Sequence, residues 1–315
     1  MDGLRTGNNY STSGQLIDRL AFVACVSYPG IGARSNAAVE ALAVAAATSN
    51  TDVSTYTNAA GCATMGEKLV VRPGADVVVA VVVRDPAGAN NSPYTFPNPS
   101  LLQVGINQPL NKPVLDHIDL IGGLVTGYKT PGSAAYAGEW PRNLNWLRAD
   151  GSTADLSVVP AAAKNTSAAV HKTFSGSGSG AWATVASGVD NSPFLKMSYR
   201  ISALQASQYL RLRGSNLPAA VPFETDANGN PLADIFTNAG NTSMLKIPCT
   251  TVGNNVPPAA ATYTGNAIDG CPLHLPVVAG QKMVAYDVAA WADLWFYSNP
   301  VYIEVAGKTL VAGIK

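Results

Sequence analysis

The sequence is short of charge. Only 13% of its 315 residues are Asp, Glu, Lys or Arg, against about a quarter in an ordinary globular domain. The 20 basic and 20 acidic side chains cancel, and no basic stripe marks any segment, so nucleic-acid binding by phosphate neutralisation is excluded. Histidine is scarcer still, with only His117, His171 and His274, and no CxxC pair accompanies them. The pattern of a zinc site is therefore missing. No apolar run reaches the roughly 18 residues of a membrane helix; the longest, "ADVVVAVVVRD", has the length of a strand. The opening "MDGLRTGNNYSTSG" contains no apolar core and does not read as a signal peptide, so an exported form would take its signal from a longer precursor. There is no G-x-S-x-G elbow, and "GSGSG" lacks the Lys-Ser/Thr ending of a phosphate loop.

What is present is apolar and small. With 47% hydrophobic residues the chain buries a sizeable core and is not disordered. Its surface must be covered by Ser, Thr, Asn, Gly and Ala, a composition common among secreted and surface-assembled β-proteins. A net charge of zero removes repulsion between copies, so self-association is expected. These features point to an extracytoplasmic location.

Helical periodicity occurs once, in "SNAAVEALAVAAATSN", with Ser35 or Asn36 as N-cap and Val39, Leu42, Ala43 and Ala46 on one face. Elsewhere the chain reads as strands separated by Gly, Pro and Asn, among them 20–28, 67–72, 76–85, 114–128, 194–203, 208–214 and 282–288. In "FLKMSYRIS", Leu195, Met197, Tyr199 and Ile201 alternate with Lys196, Ser198 and Arg200, as in a half-buried antiparallel strand. "DVVVAVVVRD" is apolar on both faces and belongs beneath another layer. The segment 300–313 reads as a closing hairpin turning at Gly307 and Lys308. The expected fold is mostly β: an antiparallel sandwich, Ig-like or jelly-roll-like, with one short helix and long loops. It forms one large region over 1–315, with "FSGSGSGAW" (174–182) either an exposed loop or the meeting point of two lobes.

Four cysteines, Cys25, Cys62, Cys249 and Cys271, stand at distant loop-like positions, which suits two disulfides. Of the three pairings, Cys25–Cys62 with Cys249–Cys271 closes the loop that has least capacity to pack itself; four buried thiols are the alternative.

Several clusters invite a chemical reading. In "DHIDLIGG" an extended strand puts His117 and Asp119 on one face and Asp116 on the other, the start of a metal site or an exposed strand face. "ETDANGNPLAD" sets Asp226, Asn228, Asn230 and Asp234 at alternate positions, like the first half of a calcium loop. The bidentate Glu is missing, however, and Asn228-Gly229 is also a hairpin-turn signal. Arg211 and Arg213 share a strand face and are anion-binding candidates, with an ordinary exposed sheet face as the alternative. Trp291, Trp295 and Tyr297 are candidates for stacking a sugar, or else core anchors. In "LWFYSNPVYIEV" a period of two sends Trp295 and Tyr297 to one side and Phe296 to the other. Asn299-Pro300 then reads as a bend.

Three segments taken together resemble a known family. "LRTGNNYSTSG", with Arg5, Gly7, Thr12 and Gly14, together with "YLRLRGSN" and "WFYSNPVYI", is similar to the β-rich region towards the C-terminus of secreted PHP-domain proteins, the polymerase and histidinol phosphatase class. The resemblance implies a parent that hydrolyses phosphate esters with bound metal ions. The His-x-His opening and later ligands of that family would precede Leu4, so no catalytic residue is carried over. The implied role is a non-catalytic structural or interaction protein whose partners are a second copy of itself or a catalytic PHP-like domain. The alternatives are an accessory lobe of an active phosphoesterase, with Arg211 and Arg213 touching phosphate, and a carbohydrate-binding module.

Overall fold

A computed structural model describes residues 2–13, 16–28, 30, 32–48, 61–85, 114–125, 167–178, 181–185, 193–220, 225–231, 246–250, 268–269, 277–278, 281–285 and 294–307. In chain order the elements are α1 (Asp2–Thr6), β1 (Tyr10–Thr12), β2 (Arg19–Ser27), α2 (Asn36–Thr48), β3 (Cys62–Thr64), β4 (Lys68–Val71) and β5 (Asp76–Arg84). Then follow β6 (His117–Leu124), β7 (Ala169–Ser175), β8 (Ala183–Val185), β9 (Phe194–Ile201) and β10 (Gln208–Ser215). The last are β11 (Lys246–Thr250), β12 (Ile268–Asp269), β13 (Val277–Val278), β14 (Gln281–Ala285), β15 (Trp295–Ser298) and β16 (Val301–Val305). The chain is mostly β, as expected, and the five-residue α1 is an addition to the one helix read from the sequence. Among the described residues no helix is long and apolar enough to cross a membrane.

Two sheets face each other. The smaller runs β3-β2-β5-β9-β8, and the larger is built around β10, flanked by β6 and β7 on one side and by β15 and β16 on the other. Between them lies one continuous core that joins Phe22, Val79, Val81 and Met197 of the first sheet to Leu210, Leu212, Ile118 and Phe296 of the second. A second core lies on the opposite face of the smaller sheet, where Val39, Ala43, Ala46 and Ala47 of α2 meet Val23, Val78, Ala80 and Val82. Strand β5 is therefore sandwiched between two apolar layers, and Val77 to Val83 are all 0% exposed. Burying each such valine stabilises by about 1.5–3 kcal/mol, which is why both faces of this strand read as apolar. A separate four-stranded sheet runs β12-β11-β14-β13.

Helix α2 starts where the sequence indicates. Ser35 Oγ accepts a hydrogen bond from the Ala38 N–H at 3.2 Å, satisfying one of the helix's free donors. Its polar edge is held to β9: Glu40 accepts from Lys196 Nζ at 2.9 Å and from Ser198 Oγ at 2.6 Å. The polar face of β9 thus lies under a helix, while Met197 points into the main core with Leu195, Tyr199 and Ile201 packed against it.

Cys25 and Cys62 stand directly opposite each other in the β2–β3 pair and are joined by a disulfide. Cys271 and the side chain of Cys249 lie outside the described residues. The Gly/Ser segment 174–182 carries the chain from β7 of the larger sheet to β8 of the smaller, folded back by Trp182 N–H donating to the Ser175 carbonyl at 3.1 Å.

The bend at Asn299-Pro300 is a β-bulge. Leu210 faces Val301 and Arg213 faces Tyr297, so Arg211 and Leu212 oppose three residues, Ser298, Asn299 and Pro300. An extra residue of this kind interrupts the ladder, and each member of the triplet repairs one part of the break. Ser298 Oγ accepts from the buried Leu212 N–H at 2.8 Å. Asn299 donates from its side chain to the Gly7 carbonyl and from its backbone to the Asn9 carbonyl, at 3.0 and 3.1 Å. Pro300 has no N–H to leave unpaired, and its carbonyl accepts from Gly66 N–H at 2.8 Å. The sheet edge divides here: β15 pairs with β1, antiparallel, and β16 pairs with β4, parallel. The first arm of the hairpin read over 300–313, β16, joins the body of the sheet between β10 and β4; 308–313 lie outside the described residues.

Candidate functional site

One face of β10 and its neighbours builds the core; the other carries Arg211, Arg213, Asp119, Thr173, Trp295 and Tyr297. The register brings these together, since Arg213 stands opposite Asp119 on β6 and opposite Tyr297 on β15, and Asp119 stands opposite Thr173 on β7. Paired residues in an antiparallel sheet share a face.

At the centre is a buried ion pair. Arg213 Nη2 and Nε donate to Asp119 Oδ2 at 2.5 and 3.2 Å, and Thr173 Oγ1 donates to the other carboxylate oxygen at 2.6 Å. The two charged side chains are only 7% and 3% exposed. A pair this dry holds because the two charges neutralise each other and both carboxylate oxygens accept hydrogen bonds. Arg213 also lies over the Trp295 ring, its guanidinium carbon 5.9 Å from the centroid. The Trp295 and Tyr297 rings stack, 6.3 Å apart and 18° from parallel, while Phe296 is fully buried on the opposite side. The period-two reading of this segment therefore stands.

The segment 225–231 folds over the site as a turn closed by a Thr225–Pro231 bridge. Asp226 Oδ1 accepts from the N–H groups of Asn228 and Asn230 at 2.8 and 2.9 Å, and Oδ2 accepts from Asn230 Nδ2 at 2.9 Å. These bonds, first of all the one from the Asn230 side chain, hold the Asp226 carboxyl below its ordinary pKa of 3.8. Asn230 Oδ1 in turn accepts from Arg213 Nη2 at 3.0 Å. Of the four residues of the expected calcium set, Asp226 and Asn230 thus use their side-chain oxygens to accept hydrogen bonds from the turn and from Arg213. Asp234 and Trp291 lie outside the described residues. Gly229 (φ 76°) places the turn against the His117 ring, 3.7 Å from where a Cβ would stand.

His117 and Asp119 share a face, as the alternation indicates, with Nε2 and Oδ2 3.8 Å apart; Nδ1 lies 2.8 Å from Asp116 Oδ2. Both residues are buried, at 6% and 2% exposure, because the turn covers them, so the exposed strand face expected for this stretch is corrected. The same correction applies to Arg213, which is 6% exposed and already paired. Arg211 is half-buried, and among the described residues no hydrogen bond or ion pair engages its guanidinium. Also among the described residues, no three of His, Cys, Asp and Glu stand close enough to hold a metal ion.

Beside the ion pair opens a cleft of about 490 Å³. Its polar side is formed by Arg211, Arg213, Thr173, Asn228 and Asn230, and its apolar side by Ile121 and Val170 with the neighbouring alanines. Thr173 is the functional residue missing from the sequence reading. Asp119 reads there as the neighbour of His117 and not as the partner of Arg213, which is 94 positions away, and nothing local signals that pairing. No protein-family model, curated protein or solved structure matches this chain.

Proposed function

We propose that this chain is a non-catalytic β-sandwich interaction protein that works outside the cytoplasm, and that it is related to the accessory region of PHP-type phosphoesterases. The observation that supports this reading is an adjacency. The three segments carrying the resemblance, around β1, β10 and β15, are hydrogen-bonded neighbours in the order β1-β15-β10-β16. Segments inherited as one structural unit are expected to lie together in this way. The Cys25–Cys62 bridge supports an oxidising compartment, since disulfides persist there and are reduced in the cytosol. In this reading the chain supports a catalytic PHP domain or associates with its own copies.

The test is the phosphatase activity of the purified chain on p-nitrophenyl phosphate with Mn²⁺, Zn²⁺ and Mg²⁺, together with light scattering alone and with a separately expressed PHP catalytic domain. No turnover and a complex of either kind are expected. Metal-dependent turnover that survives repurification, or a strict monomer that ignores the catalytic domain, overturns the reading.

One observation favours a second reading, a carbohydrate-binding module. The stacked, half-buried Trp295 and Tyr297 lie on the face away from the core, where aromatic faces stack on sugar rings. Glycan-array binding that is lost in Trp295→Ala supports it, and a blank array disposes of it.

A further inference from the structure

We propose that the cleft beside the Arg213–Asp119 pair is a binding site for a carboxylate-bearing saccharide, with Arg211 as its principal anchor. This goes beyond the accessory role and does not depend on phosphoesterase kinship.

The charge count selects the ligand. Arg213 lines the cleft, but its charge is met by Asp119 at 2.5 Å. Arg211, two residues along the same strand face, also lines it, and no carboxylate engages it among the described residues. Arg211 is therefore the lining cation that no carboxylate meets directly among the described residues. A guanidinium fork matches a carboxylate in a bidentate fashion, and with two carboxylates, Asp119 and Asp226, already acting on Arg213, Arg211 is left as the cation to meet a monoanion. A phosphate dianion would leave excess negative charge close to Asp226, whose turn contributes Asn228 and Asn230 to the wall.

The rest of the lining suits a hydroxylated body. The Asn228 amide offers both donors and an acceptor. Arg213 has Nη1 left over after Nε and Nη2 bind Asp119 and Asn230. Ile121 and Val170 give the apolar ribs on which the C–H face of a sugar rests. The volume of about 490 Å³ falls in the ~300–1,000 Å³ range of small-molecule sites. The site is also preformed, because the buried pair below and the Asp226 turn beside it fix Arg213 and Asn230 before any ligand arrives, which lowers the ordering cost of binding.

The test is calorimetry and amide-shift mapping on the full chain with four probes at matched ionic strength: glucuronate, N-acetylneuraminate, glucose and inorganic phosphate. Saturable binding of at least one of the two carboxylates is expected, with shifts centred on Thr173 and Asn228 and none from glucose. Arg211→Ala should weaken that binding at least tenfold. Arg211→Lys, which keeps the charge without the fork, should weaken it less. Asn228→Ala, on an exposed turn, gives a second variant whose fold is not in question, and should weaken binding by several fold. The proposal is overturned if neither carboxylate binds, if phosphate binds more tightly than both, or if glucose binds as well as they do. Shifts that map elsewhere, or binding indifferent to both Arg211→Lys and Asn228→Ala, overturn it equally.

Discussion

Gly7 and Gly66 meet backbone to backbone where the edge of the larger sheet divides. A Cβ on Gly66 would stand 2.6 Å from the Gly7 Cα, and one on Gly7 would stand 2.8 Å from the Gly66 Cα. Both residues have positive φ, 79° and 81°. Gly66→Ala therefore combines a left-handed backbone, costing about 1–2 kcal/mol, with overpacking of about 1–3 kcal/mol. Gly307, also at positive φ but with open space around its Cβ position, should show only the first cost on replacement by Ala. Urea denaturation of the two variants separates the terms, and equal midpoints would contradict the close approach.

Ser298 tests the bulge. Its hydroxyl is the acceptor for the buried Leu212 N–H, so Ser298→Ala leaves that donor unsatisfied at a cost of about 1–3 kcal/mol. Ser298→Thr keeps the hydroxyl and should retain most of the stability. Faster hydrogen exchange at Leu212 in the alanine variant alone would locate the effect.

The Asp119–Arg213 pair should show strong non-additivity. Removing one partner, as in Asp119→Ala, leaves a buried charge uncompensated and costs about 3–5 kcal/mol. The double variant Asp119→Ala/Arg213→Met removes both charges and should be more stable than Asp119→Ala. A double-mutant cycle by denaturation decides this; additive costs would mean that the pair is solvated.

The disulfide closes a sequence separation of 37 residues. By the chain-entropy treatment such a link is worth about 4 kcal/mol. Cys25→Ala/Cys62→Ala should lower the melting temperature accordingly, and reductant should lower that of the parent chain by more than that of the variant.

Burial holds the His171 imidazole below its ordinary pKa of 6.5. The folded state therefore prefers the neutral ring, and acidification favours the unfolded chain, which binds the proton more readily. The stability contributed by this residue is complete above the unfolded value and is lost as pH falls through the folded one. Unfolding curves taken from about pH 7.5 down to about pH 5 should show this decline, and His171→Asn should flatten it.

What was legible in the sequence is what periodicity encodes. The two-faced burial of β5, the alternation of β9 and the Ser35 cap of α2 follow from local pattern, because each is set by whether neighbouring side chains enter the core. The same logic placed Phe296 opposite Trp295 and Tyr297. Exposure was harder to read. Asp119 and Arg213 alternate as solvent-facing residues would, yet a turn more than a hundred positions beyond Asp119 covers them. A covering layer leaves no period in the strand beneath it. The parallel β4–β16 pairing and the contact between Gly7 and Gly66 were equally silent, since they join parts of the chain that share no local signal. The Asn299-Pro300 bend was visible as punctuation, but its role as a bulge depends on the length of β10 opposite it.

The pairing of β1 with β15 also bears on how the protein is made. Ser13 finds its acceptor on Trp295, 282 residues later. At about 5–20 residues per second of synthesis, the first strand waits roughly 14–56 s for its partner. The central strand of the same sheet, β10, likewise lacks one edge until β15 and β16 have left the ribosome. The larger half of the sandwich therefore closes only after translation has reached those strands, whereas every strand of the smaller sheet is already made by Ile201.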